Sequence, residues 1–186
     1  TSGAGGPWSW AQYSGGTAYW LRLNETSASS FGLTTGGYIA PQNATDTYFT
    51  AMGNGGVNLN NANGETYVAY LFADDPLGAN GDDGMIACGS FTTVAENADV
   101  VIGWEPQYVL IKASDSADDW YVVDMMRGMD YTTGIYLSPN GTAGDLNGGA
   151  FCRPTADGFQ IRALQNATYI YMAIRRPMKT PEVGTE

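Results

Sequence analysis

Histidine does not occur among the 186 residues, which removes the commonest general base and the commonest protein metal ligand at once. A serine or cysteine triad of the usual kind cannot be built without it. Cysteine is nearly as scarce: Cys88 and Cys152 allow one disulfide or two buried free thiols, and neither has a partner at metal-site spacing. Basic side chains number 8 against 19 acidic ones, a formal net charge of -11. A phosphate backbone is repelled by such a surface, so nucleic acid is not an expected partner. No apolar run is long enough to span a bilayer, and the opening TSGAGGPWSW has neither the basic start nor the apolar core of a signal peptide. The phosphate-cradling GxxxxGK loop, Cys-x-x-Cys and the dinucleotide fingerprint are missing too.

What is present is glycine, at 25 residues, and 12 tyrosines with 5 tryptophans, while charged residues make up only 15%. Gly, Asn, Thr and Ser interrupt almost every window long enough for a helix, so the composition is that of a turn-rich β protein. Residues 167–177, ATYIYMAIRRP, read as a central strand ended by charge and proline, and 65–76, ETYVAYLFADDP, repeat the pattern. Further strands are expected around Trp8, Trp10 and Tyr13, then over 18–23, 46–52, 85–94, 100–104, 107–112, 120–124, 135–138 and 158–163. Ten or eleven short strands with turn signals between them argue for an antiparallel β-sandwich or jelly roll. Residues 74–84, DDPLGANGDDG, bury nothing and form the best internal boundary.

The chain also carries an internal repeat. WSW with Tyr13 matches WYVVD, AYWLRLNET matches GIYLSPNGT, DTYFTAM matches DGFQIRA, and ETYVAYLF matches ATYIYMAI, in the same order. The first copy has no counterpart of IGWEPQYVLIK. Residues 1–76 are therefore expected to be the back portion of a module, 77–177 a complete one and 178–186 an extended tail. The missing front is expected before Thr1 or from a neighbour. A start at Thr1 rather than Met is expected of a processed chain or a piece of a longer one.

The succession WEPQYVLIK, DDWYVVDMMRG, IYLSPNGT, DGFQIR and ATYIYMAIRRP resembles a recurring module of marine bacteriophage virion proteins of the tail, tail-fibre-like or particle-surface kind. Residues 100–177 resemble one full copy and 8–76 the last two thirds of another. The resemblance implies a structural protein of the virion, assembled in the host bacterial cytoplasm from copies of itself and other virion proteins, with host adsorption as a secondary role. It hands over no catalytic residue.

Several constellations have chemistry of their own. A polysaccharide hydrolase needs two carboxylates across a cleft. Asp119 and Asp124 flank one strand with opposite parity, with Asp157 or Glu105 as the other candidates, and solvated strand ends are the expectation, so no enzyme and no organic cofactor are expected. Calcium has a candidate in Asp74, Asp75, Asp82 and Asp83, although NGDDG lacks the alternation of a helix-loop-helix site. Trp8, Trp10, Trp104 and Tyr131 are candidates for a platform that stacks on host surface polysaccharide. Met125, Met126 and Met129 surround Arg127 as an adaptable apolar patch with one charged fork. That patch is a candidate subunit contact, with an ion pair from Arg127 to Asp124 or Asp130 as its plainer reading. Arg175 and Arg176 are the charged candidates for docking against an acidic neighbouring copy. Asn24, Asn43, Asn140 and Asn166 begin N-x-Thr triplets that a chain rich in both residues produces by chance.

Overall fold

The computed structural model describes residues 9–14, 17–28, 30–32, 66, 68, 70–72, 74, 84–129, 131, 134–149 and 151–175. These residues form no helix; twelve strands make three antiparallel sheets. The largest is built around β12 (Thr168–Arg175), which pairs on one side with β4 (Ile86–Thr92) and on the other with β6 (Pro106–Ala113). From β6 the sheet continues through β7 (Trp120–Asp124), β8 (Ile135–Leu137) and β9 (Leu146–Asn147). A second sheet has the order β10 (Cys152–Thr155), β11 (Gly158–Ile161), β5 (Ala98–Val101). The third is a meander of β1 (Ser9–Ser14), β2 (Thr17–Arg22) and β3 (Ser30–Gly32).

The large sheet is apolar on both faces, which is why β6 and β12 read as near-continuous hydrophobic runs rather than alternating ones. One face carries Val109, Ile111, Val123, Tyr169 and Ala173, which pack on Val100, Phe159 and Ile161 of the smaller sheet. That contact is the core of a β-sandwich, and each of these larger side chains contributes about 1.5–3 kcal/mol by leaving water. Phe91 of β4 stacks on Tyr169 with ring centroids 5.3 Å apart. The other face carries Leu110, Trp120, Val122, Ile170 and Met172, and Leu21 from β2 is buried among them. The Trp120 indole N–H donates to the Arg22 carbonyl at 2.8 Å, and the Asp118 N–H donates to the Thr26 carbonyl at 2.9 Å. These bonds dock the segment after β2 on the second face.

Several sequence expectations need correcting. The segment 66–72 carries the composition of β12, yet Thr66, Val68, Tyr70, Leu71 and Phe72 lie outside every strand and are exposed. The strand expected at 100–104 lies at Ala98–Val101 instead. Ile102 and Gly103 there donate their N–H groups to the Asp157 carbonyl, with Gly103 at φ 88°, so the chain turns before Trp104. The strand expected at 46–52 falls outside the described residues. Among the described residues of the first half, the meander β1-β2-β3 has the same order as β7-β8-β9. Both cysteines are free, Cys152 buried in the sandwich core and Cys88 half-buried on β4.

Candidate interaction surface

The pairing registers define two ends of the large sheet. Ile86, Arg175, Pro106 and Asp124 share one end; Thr92, Thr168, Ala113 and Trp120 share the other. At the first end β7 stops in a turn that its own last residue organises. Asp124 accepts the Arg127 N–H on its carboxylate at 2.8 Å and the Met129 N–H on its carbonyl at 2.9 Å. Gly128 turns at φ 106°, a conformation that a side chain would strain. The Arg127 guanidinium is paired with the Asp124 carboxylate, as the plainer reading has it, and its Nε also donates to Asp145 at 3.0 Å. Two acidic partners raise its pKa, the bond to Asp145 first and the charge of Asp124 next.

This turn divides the three methionines. Met126 is 97% exposed and Met125 is exposed beside it, with the Met125 N–H held by the Gln107 carbonyl. Met129 is 2% exposed and belongs to the sandwich core. Its side chain therefore supports the turn from beneath and is not available as a contact residue. Met85, also exposed, sits at the same end, where its carbonyl accepts the Arg175 N–H. Arg175 is half-buried; Arg176 lies outside the described residues.

Of the glycan candidates, Trp104 and Tyr131 have described side chains. Trp104 is 4% exposed and packs in the sandwich core, so it offers no ring to a sugar. Trp10 lies in β1 opposite Leu21, and Trp8 is outside the described residues. Tyr131 is exposed, with its hydroxyl donating to the Pro154 carbonyl at 2.6 Å and the Arg153 guanidinium 5.9 Å from its ring centroid. Of the calcium candidates, Asp74 accepts the Cys88 N–H at 2.9 Å, while Asp75, Asp82 and Asp83 are outside the described residues. No group of three or more His, Cys, Asp or Glu residues suited to a metal occurs among the described residues.

The remaining acidic candidates have structural partners. Asp119 and Asp124 lie at opposite ends of β7; Asp119 accepts from the Asn140 amide at 2.7 Å, and Asn140 in turn accepts the Trp120 N–H at 2.7 Å. Asn166 accepts the Glu96 N–H at 2.8 Å, so two of the N-x-Thr asparagines fasten turns. Asp157 accepts from the Thr155 hydroxyl at 2.9 Å, and Glu105 is exposed.

Three features escaped the sequence reading. Asp118, ahead of β7, accepts hydroxyl bonds from Tyr121 at 2.7 Å and Tyr169 at 3.1 Å. Burial first, and then the bond to Asp118, pushes the Tyr121 phenol well above its ordinary range. Lys112 on β6 has no exposed surface, and its ammonium donates to the carbonyls of Ala113 at 2.9 Å and Thr26 at 3.1 Å. Burial lowers its pKa, and the charges of Asp118 and Asp119 oppose that shift. A lysine inside QYVLIK gives no sequence signal that distinguishes it from a solvated strand end. The third feature is the exposure of Val68, Tyr70, Leu71 and Phe72, in which the first three are 70–75% exposed.

The model of one family, Domain of unknown function (DUF7483), matches residues 6–177. No curated protein and no solved structure matches the chain.

Proposed function

We propose that this chain, which belongs to the DUF7483 family over nearly its whole length, is a structural protein of a bacteriophage particle, a tail, fibre or surface component that works through subunit contacts rather than catalysis. The observation that carries this reading is the apolar end of the large sheet, where Met125 and Met126 stand in solvent on a turn fixed by Arg127, Asp124 and Asp145, with Met85 exposed at the same end ahead of β4. Thioethers are soft and adaptable, and a rigid turn that presents them to water is suited to a protein neighbour. The sequence resemblance to virion modules supports the same role.

The direct test is to purify particles of a phage that encodes the chain and trace it in an electron cryomicroscopy map. The expected result is the chain within the particle, with Met125 and Met126 covered by a neighbouring subunit. Its absence from purified particles by mass spectrometry overturns the reading. The exposed Tyr131 ring supports a second reading, a carbohydrate-binding host-adsorption module. Binding on a glycan array that is lost in Tyr131→Ala would favour it.

A further inference from the structure

We infer that the outward face of the β10-β11-β5 sheet, bordered on its β10 side by the Tyr131 ring, binds a neutral polysaccharide chain; this rests on the host-adsorption reading and names its site and sugar class. The small sheet gives its other face to the sandwich core. Cys152, Phe159, Ile161 and Val100 point inward there and are buried. Strand alternation therefore turns Arg153, Gln160 and Asp99 outward. The pairing register sets Arg153 opposite Gln160 and Gln160 opposite Asp99, so the three form one row across the sheet. Two strand spacings make that row about 10 Å long, the length of two linked pyranose rings.

The chemistry of the row suits hydroxyl groups. A sugar hydroxyl both donates and accepts, and the row offers guanidinium donors, an amide with both functions and a carboxylate that accepts. Its far end is fixed in place. Arg162 donates to Asp99 Oδ1 at 2.9 Å and to the Ala98 and Ile161 carbonyls at 3.2 and 2.7 Å, while the Asp99 side chain keeps 67% of its surface in solvent. At the near end Tyr131 is 56% exposed, with its hydroxyl held by the Pro154 carbonyl and the Arg153 guanidinium beside its ring. A ring pinned in this way loses little freedom when a sugar packs its C–H face against it. Val101, two positions beyond Asp99 on the same face and 71% exposed, adds an apolar contact.

Charge selects the class of sugar. The chain carries a net charge of -11 and Asp99 stands within the row itself, so a uronate or sulfated chain meets charge of its own sign. A neutral chain meets no such repulsion and brings no charge to be desolvated.

The test is calorimetric titration of the full chain with neutral hexasaccharides of glucose, mannose and galactose, and with an oligogalacturonate of equal length. The expected result is binding of a neutral hexasaccharide and none of the oligogalacturonate. Gln160→Ala and Tyr131→Ala should each weaken that binding roughly tenfold, the worth of one hydrogen bond or one ring contact. Tyr131→Phe keeps the ring, gives up the bond to Pro154 and should retain the binding. Gln160→Ala should leave the thermal midpoint in place, which separates a lost contact from a lost fold. A preference for the oligogalacturonate overturns the inference. If a neutral sugar binds equally well to both alanine variants, this face fails as the site while the host-adsorption reading stands; if the chain binds no saccharide, neutral or acidic, that reading fails with it.

Discussion

Ala95 and Glu96 carry the turn between β4 and β5 at φ 49° and 66°, with Val94 bridged to Asn97 around them. A two-residue hairpin with both central residues at positive φ favours Asn-Gly, and neither alanine nor glutamate enters that region without strain. The double substitution Ala95→Asn, Glu96→Gly keeps the N–H that Asn166 accepts and should stabilise the fold by about 1 kcal/mol, read as a rise in chemical-denaturation midpoint. Gly158 makes the opposite case. A Cβ there would lie 1.9 Å from the Val100 carbonyl oxygen, which is backbone and cannot swing aside. Gly158→Ala should therefore separate β11 from β5 and cost roughly 3 kcal/mol or more, with the protection of β5 amides lost in hydrogen exchange. Both sites also show what residue types conceal. Composition marks Gly158 only as another turn glycine, while the 1.9 Å approach is set by a strand 58 positions away in sequence.

At the scale of elements, the strands that the sequence displays are those whose neighbours cover both faces. β6, β7 and β12 are apolar at consecutive positions because the sandwich core takes one side and the Leu21 cluster the other. β3, β9 and β10 were not legible: SFG, LN and CRPT are short edge or near-edge strands that take their register from a partner rather than from their own composition. The segment 66–72 misled in the other direction: Thr66, Val68, Tyr70, Leu71 and Phe72 have strand composition yet lie outside every strand, since propensity reports what a backbone suits and not what it adopts. The candidate site was legible to the same limited degree. DMMRGMD displays three methionines and an arginine, but only the turn geometry sends Met129 inward and leaves Met126 out. An element-scale prediction concerns Leu21, the side chain through which β2 joins the second face. Leu21→Ala should cost about 2–4 kcal/mol. If the β1-β2-β3 meander opens as its own unit, its amides lose hydrogen-exchange protection while those of β12 keep theirs. Equal loss in β12 would show one cooperative unit instead.

For the molecule as a whole, the shifted groups fix how stability depends on alkaline pH. Burial raises the thiols of Cys88 and Cys152 above 9.0, with Cys88 pushed to about 11 with help from the charge of Asp74. Burial is likewise the first cause that raises the phenols of Tyr108, Tyr121, Tyr136, Tyr169 and Tyr171 above 10.0. In each case the unfolded chain releases its proton at a lower pH than the folded one. Above pH 9 the folded state therefore binds more protons, and the stability these groups contribute is lost as pH rises through their folded values. Lys112 acts against this trend: its folded pKa lies below 10.5, so its contribution grows as pH rises toward that value. One lysine does not offset seven acids. The thermal midpoint should accordingly fall from pH 9 upward and more steeply above 10, and Cys88→Ala should make the fall between 9 and 10 shallower while Cys152 keeps its onset near 9. The net charge of -11 becomes more negative over the same range, so self-repulsion adds to the decline, but salt screens that part and leaves the buried groups' part in place. Midpoints measured from pH 7 to 11 at low and high salt separate the two. A decline that high salt abolishes would mean that the buried thiols and phenols do not govern it, whereas a salt-resistant fall that begins near pH 9 and is shallower in Cys88→Ala assigns it to them.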